Sequence, residues 1–215
     1  MLSKILPTSS VAINTFAIKT RFVNFYIYSQ DGFALCIDTG MKIRNLGKEL
    51  RKIGLVSEDV SHIFLTHTDS DHVGGISAFP GAKIYISELE EQIINGKTRR
   101  SPLMRNTLIR SDYVKLKDNQ TVSIGPIEVL AISTPGHTPG SMSYLINRST
   151  LFAGDTIYLK KGKATTGNRF FNMDVNTQKQ SIKKLAQLQD ISMLFTGHSG
   201  MTDQFSDALG NWENQ

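Results

Sequence analysis

The 215-residue chain is 40% hydrophobic and 20% charged, which supplies a sizeable core and leaves no composition suited to disorder. Its net charge of +5 permits anionic partners but does not require them, because the lysines and arginines are spread along the chain, and no nucleic-acid role is expected. No apolar run approaches the roughly 20 residues that span a bilayer, Pro7, Thr8, Ser9 and Ser10 interrupt any leader-like stretch, and the lone Cys36 has no partner for an intrachain disulfide; a single cytoplasmic domain over residues 1–215, with no membrane association, is therefore expected.

The first third reads as strands joined by tight turns. VAINTFAI (11–18) and FVNFYIY (22–28) are rich in β-branched and aromatic residues, and Asp31-Gly32 is a hairpin-type turn before FALCID (33–38), where Cys36 reads as a small buried side chain. Ile43, Leu46, Leu50 and Ile53 recur at helical spacing, with Gly54 as the stop. HIFLT (62–66) is a short buried strand, and AKIYI (82–86) leads to Ser87 and Glu90 at capping-box spacing. Residues 96–111 are basic, broken by Pro102, and read as an irregular insertion. Strands follow at 113–116, 121–124, 127–133, 141–146 and 150–154. A helix is marked by Ile182, Leu185 and Leu188, a strand by SMLFT (192–196), and a last helix by Phe205, Leu209 and Trp212.

Four of these strands end in a loop that carries metal-type ligands. After HIFLT come His67, Asp69, Asp71 and His72; after residues 127–133 comes His137; after TLFAG comes Asp155; after SMLFT comes His198. A strand-end loop presents side chains without disturbing the ladder that supports it. A lone histidine in such a place is usually a surface or capping residue, but four of the chain's five histidines share this setting. Imidazole and carboxylate without thiolate suit zinc, iron or manganese. His62, which opens a strand, is expected not to be a ligand.

These residues resemble the signature of the metallo-β-lactamase superfamily: H-x-H-x-D-H, then a distant His, Asp and His. CIDTG (36–40), LTHTDSDHVGG (65–75), STPGHTPGS (133–141), FAGDT (152–156) and FTGHS (195–199) match in order over nearly the whole chain. The resemblance implies an α/β fold, a four-layer αββα sandwich of two mixed β-sheets flanked by helices, with two divalent metal ions at one edge. His67 and His137 would hold one ion with the residue at position 69. Asp71, His72 and His198 would hold the other, Asp155 would bridge them, and water between the ions would be the nucleophile. Asp71 would orient that water, and Tyr158, three residues after Asp155, matches the place of a tyrosine that assists the oxyanion in lactonases of the family. Asp38 is read either as a carboxylate that fixes a ligand imidazole from behind or as a turn former beside Gly40.

Position 69 departs from the pattern, which has His there. Asp69 is a carboxylate ligand that makes the site harder, or binds through a water and leaves the first site weak, or is merely tolerated at the expense of activity. Zinc is the expected metal, and iron or manganese is admitted by Asp69. The expected function is a metal-dependent hydrolase acting on a small ester, lactone, thioester or phosphoester. A flavodiiron-like oxidoreductase without its flavin domain, and a non-enzymatic metal-binding module with a degraded first site, are the alternatives. The bridging Asp155 argues against a β-lactam as substrate, and neither the added helices of glyoxalase II-like enzymes nor a nuclease clamp is evident. Two basic stretches, Lys160, Lys161 and Lys163 and the group Arg99, Arg100 and Arg105, read as solvated faces; an anionic substrate is expected if they line the cleft.

Overall fold

The computed structural model describes residues 4–100 and 112–212. Its first sheet takes the strands in chain order: β1 (Ser9–Ala12), β2 (Thr15–Lys19), β3 (Asn24–Gln30), β4 (Phe33–Ile37), β5 (Val60–Phe64), β6 (Lys83–Ser87) and β7 (Tyr113–Leu116). The first four pair antiparallel and the last three are added in parallel. Helices α1 (Leu46–Arg51), α2 (Ser70–Val73) and α3 (Glu91–Ile94) lie within its crossovers.

The second sheet holds β8 (Thr121–Ile124), β9 (Ile127–Ser133), β10 (Met142–Ile146) and β11 (Thr150–Phe152), then β14 (Met193–Phe195) and β15 (Met201–Thr202). It is also mixed, because β14 joins β11 in parallel. Between them the chain forms a small ribbon of β12 (Tyr158–Lys160) and β13 (Lys163–Thr165), then α4 (Val175–Ala186); α5 (Phe205–Leu209) closes the described chain.

Three apolar layers account for the sandwich. The central one joins Tyr26, Leu35, Ile37 and Phe64 of the first sheet to Ile127, Val129, Tyr144, Phe152 and Phe195 of the second. Leu46, Leu50, Val73, Ile76 and Phe79 cover the outer face of the first sheet, where Cys36 is also buried. Ile182, Leu185, Phe205 and Leu209 cover the outer face of the second. Three buried interfaces require four layers, and the αββα order follows. No helix among the described residues is long and apolar enough to cross a membrane.

Several local expectations change. VAINTFAI is a hairpin rather than one strand, because Asn14 adopts φ 58° and reverses the chain between β1 and β2. The Asp31-Gly32 turn is present, with both residues at positive φ. The first helix begins at Leu46, leaving Ile43 as a packed loop residue, and Trp212 lies beyond α5, where its indole donates to the Ala164 carbonyl. Ser87 caps only a short 3-10 turn at Leu89, and Glu90 does not reach back to close a capping box. Arg105 and most of the 96–111 insertion lie outside the described residues.

Candidate metal centre

The two sheets meet at one edge, and the loops after β5, β9, β11 and β14 converge there. Core tyrosines fix where two of these loops begin. The Tyr144 hydroxyl donates to the Leu65 carbonyl at 2.7 Å and the Tyr26 hydroxyl to the Thr196 carbonyl at 2.8 Å. Backbone bonds stitch the sheets together at the same edge, Met142 N–H to Thr66 O and Asn24 N–H to Gly197 O, and Gly197 N–H to Gly154 O ties together two loops of the second sheet. A Cβ on Gly197 would stand 2.5 Å from Asp155 Oδ1 and 2.9 Å from His72 Cε1, so only glycine lets the last loop approach this closely.

All seven side chains singled out as ligands come together here. Three overlapping groups, His67–Asp69–His137, Asp71–His72–His198 and His67–His72–Asp155, each bring their ligand atoms within 4.8 Å of one another. His62 stands apart on β5, with its ring against Tyr85 and its Nδ1 on the Ser61 hydroxyl.

The decisive feature is behind the imidazoles. His72 Nδ1 meets Asp38 Oδ2 at 2.8 Å, and His198 Nδ1 meets the Phe22 carbonyl at 2.8 Å. His137 Nδ1 meets Asn172 Oδ1 at 3.0 Å, while the Asn172 amide nitrogen is engaged by the Thr166 carbonyl. His67 Nδ1 meets the Thr66 hydroxyl, which itself donates to Asp38. Each Nδ1 thus faces an acceptor and carries a proton, so each Nε2 lone pair points into the cluster. This arrangement selects the Asp38 role that fixes an imidazole from behind, although the residue also takes a positive φ of 61° just after β4.

Cation binding fits this donor set. Among the described residues, His67 Nε2, His72 Nε2 and Asp155 Oδ1 are buried without a hydrogen-bond partner, an expensive state unless an ion is ligated. Neighbouring ligand atoms lie 3.2 Å (His198–Asp155), 3.3 Å (His198–Asp71) and 3.4 Å (His72–Asp155) apart. Ligands held tetrahedrally at ~2.0–2.1 Å are about 3.4 Å apart, so the spacing is that of a coordination sphere.

The titration behaviour has the same origin. Burial would lower His198, but Asp155 and Asp71 outweigh it and raise the pKa to about 10. Burial likewise opposes ionisation of His72, yet Asp155, Asp38 and Asp71 push it well above its ordinary value. Asp155, despite burial that favours its neutral form, is held well below the usual carboxylate range by His198 and His72. Asp69 is held below it too, because hydrogen bonds to His137 and His67 overcome burial. Carboxylates without a counter-cation draw protons onto the imidazoles, and a divalent ion would displace those protons. His137 moves the other way, lowered by burial and by the charges of His67 and Arg100 against the pull of Asp69.

The Metallo-beta-lactamase superfamily profile matches residues 18–198. The chain belongs to the metallo-β-lactamase superfamily. It is 34% identical over 155 residues to the protein YobT of Bacillus subtilis, covering 67% of this chain and 66% of that one. It is 32% identical over 137 residues to a hydroxyacylglutathione hydrolase of Bartonella henselae, covering 63% of this chain and 47% of that enzyme. The chain thus spans about half to two thirds of the length of these curated relatives. A metallo-β-lactamase family protein of Thermus thermophilus shares the fold with a TM-score of 0.74 at 19% identity, over 94% of this chain and 79% of that one.

Sequence reasoning missed three residues of this superfamily member's centre. Glu90, assigned to a cap, is buried, with Oε1 accepting from the Thr68 N–H and hydroxyl and Oε2 from the Thr138 hydroxyl. It ties the His67 loop to the His137 loop, and the repeated His-Thr pair at 67–68 and 137–138 was the available signal. Asn172 had no signal. Arg100, grouped with a solvated basic face, instead enters the cluster: Nη1 lies 3.0 Å from Asp69 Oδ2 and 3.0 Å from His137 Nε2. Arg99, Lys160, Lys161 and Lys163 are exposed, as expected of a solvated face. Tyr158 stacks its ring on His198 at 5.9 Å and 11°, and Phe22 stacks on the same imidazole at 6.3 Å and 19°.

Proposed function

We propose that the chain is a metal-dependent hydrolase that adds water to an activated carbonyl, as in an ester, lactone or thioester, with phosphoesters the less favoured substrates. The observation that carries this reading is the convergence of four imidazole Nε2 atoms, each with Nδ1 pinned, on the carboxylates Asp69, Asp71 and Asp155. The relation to a hydroxyacylglutathione hydrolase supports the same reaction class.

His72, His198 and Asp71 would hold one cation, His67, His137 and Asp69 would form the other half of the centre, and Asp155 lies against both. The imidazole-rich donor set favours zinc; the third carboxylate, Asp69, keeps iron and manganese as alternatives. A divalent cation bound there lowers the pKa of water toward about 7 and polarises a substrate oxygen. Asp71, whose side chain is the most exposed of the three carboxylates at 20%, orients the attacking water and accepts its proton. Tyr158 is the proposed donor to the substrate oxygen on which negative charge develops. Asp38, Asn172 and the Phe22 carbonyl hold the imidazoles in one tautomer throughout.

The test is turnover of ester, lactone, thioester and phosphodiester panels by protein stripped with a chelator and reloaded with zinc, iron or manganese. Activity should disappear on stripping and return on reloading. Turnover that survives complete metal removal, or none in any panel with the metal restored, refutes the proposal.

A further inference from the structure

Arg100 competes with a metal ion for the same atoms. His137 Nε2 has one lone pair, because its Nδ1 carries the proton donated to Asn172. That lone pair faces Arg100 Nη1 at 3.0 Å, and the same Nη1 meets Asp69 Oδ2 at 3.0 Å. Nitrogen and carboxylate oxygen are themselves 3.2 Å apart, so the guanidinium nitrogen caps the pair from which two of three first-site ligands would come. The side chain is 9% exposed and anchored from outside the cluster by Nη2, which donates to the Phe171 carbonyl at 2.6 Å, while the two hydrogens of Nη1 are shared with a third acceptor, the His137 carbonyl at 3.1 Å. Among the described residues, the cluster atoms that are buried without a partner are His67 Nε2, His72 Nε2 and Asp155 Oδ1, and Arg100 bonds to none of them.

We infer that Arg100 is the built-in occupant of the first cation position. The uncovered groups, His67, His72 and Asp155 with Asp71 and His198 beside them, hold one divalent ion tightly. A second ion enters only by displacing the guanidinium from Asp69 and His137. The inference rests on the metalloenzyme reading but makes a claim about stoichiometry that the reading does not require. It also gives Asp69 a purpose, because a histidine at position 69 would offer Arg100 no negative charge.

The experiment titrates metal-free protein with zinc and follows heat and bound ion per chain. Wild type should take one ion tightly and a second at least about tenfold more weakly, since entry must break a buried ion pair. Arg100→Met keeps the length of the side chain and removes its charge and donors. It should close that gap by about tenfold or more, leaving the first affinity unchanged, while Arg100→Lys should keep most of the gap. Two ions bound by wild type with equal affinity overturn the inference and leave the hydrolase reading standing. So does a folded Arg100→Met variant whose second affinity matches wild type. Should that variant fail to fold, the wild-type stoichiometry decides alone. No ion bound at all would remove the inference and the hydrolase reading together.

Discussion

Replacing Asp38 by Asn changes a single atom and sets stability against metal affinity. Asp38 is 3% exposed and accepts three hydrogen bonds: Oδ1 from the Thr66 N–H at 2.7 Å, and Oδ2 from the Thr66 hydroxyl and His72 Nδ1, each at 2.8 Å. An amide has one oxygen for these two positions. If the oxygen takes the Oδ2 place, the NH2 group faces the buried Thr66 N–H, and the unmet donors cost about 1–3 kcal/mol. If it takes the Oδ1 place, NH2 meets His72 Nδ1–H donor to donor. His72 must then move its proton to Nε2, which removes the lone pair a cation needs; the loss of such a supporting partner typically lowers metal affinity about 10- to 100-fold. Urea unfolding of the metal-free variant reads the first outcome and zinc titration the second, with the ¹⁵N shifts of His72 reporting the tautomer. A variant matching wild type in both unfolding free energy and zinc affinity would refute the claim that Asp38 fixes the imidazole.

Two further predictions concern the supports around the centre. Glu90→Ala removes the acceptor shared by Thr68 and Thr138 and should cost about 2–4 kcal/mol in urea unfolding, whereas Glu90→Gln, which keeps an oxygen for Thr68, should lose less than half of that; equal losses would mean the carboxylate only fills space. At the C-terminal end of β9, where the His137 loop begins, Asp118 accepts from the Ser133 N–H and from Lys184, which outweigh burial and hold its pKa below the ordinary 3.8. A depressed folded-state pKa gives stability that is present above the unfolded value and is lost as pH falls through the folded one. The Tm of Asp118→Asn should therefore fall below wild type at pH 5–7 and approach it in acid below the ordinary carboxylate value, and a Tm difference independent of pH would contradict the assignment.

How much of this centre could be read from the sequence depended on whether a residue acts through local or distant partners. The ligand side chains were legible because each follows an apolar strand, and a strand's end is a local pattern. The sheets were legible for the same reason, since runs such as HIFLT and IEVLAIS have buried side chains on strands that the central layer needs. The break in VAINTFAI was not, because Asn14 takes a positive φ inside an otherwise unbroken strand pattern. Helix α2 was hidden because it is only four residues long and two of them, Asp71 and His72, are ligand residues, which leaves no apolar period to mark a helix. Glu90 lies 22 residues from Thr68 and 48 from Thr138, and Asn172 lies 35 from His137, so nothing in their own neighbourhoods discloses what they hold.

Asp69 and Arg100 carry the same lesson to the chemistry. Taken alone, Asp69 was a substitution in a familiar pattern, open to being a ligand, a weakened ligand or a tolerated change. The structure adds a fourth relation, a buried ion pair with a residue 31 positions away, within a stretch whose basic composition pointed to solvent. An imidazole at position 69 would share one donor-facing lone pair among two demands; a carboxylate has two oxygens and a charge, so it can hold a guanidinium and still turn an oxygen to a cation. The departure from the family pattern and the buried arginine are therefore best treated as one feature. Whether Asp69 is a ligand is then a question of what Arg100 is doing, and the affinity of the second ion measures both.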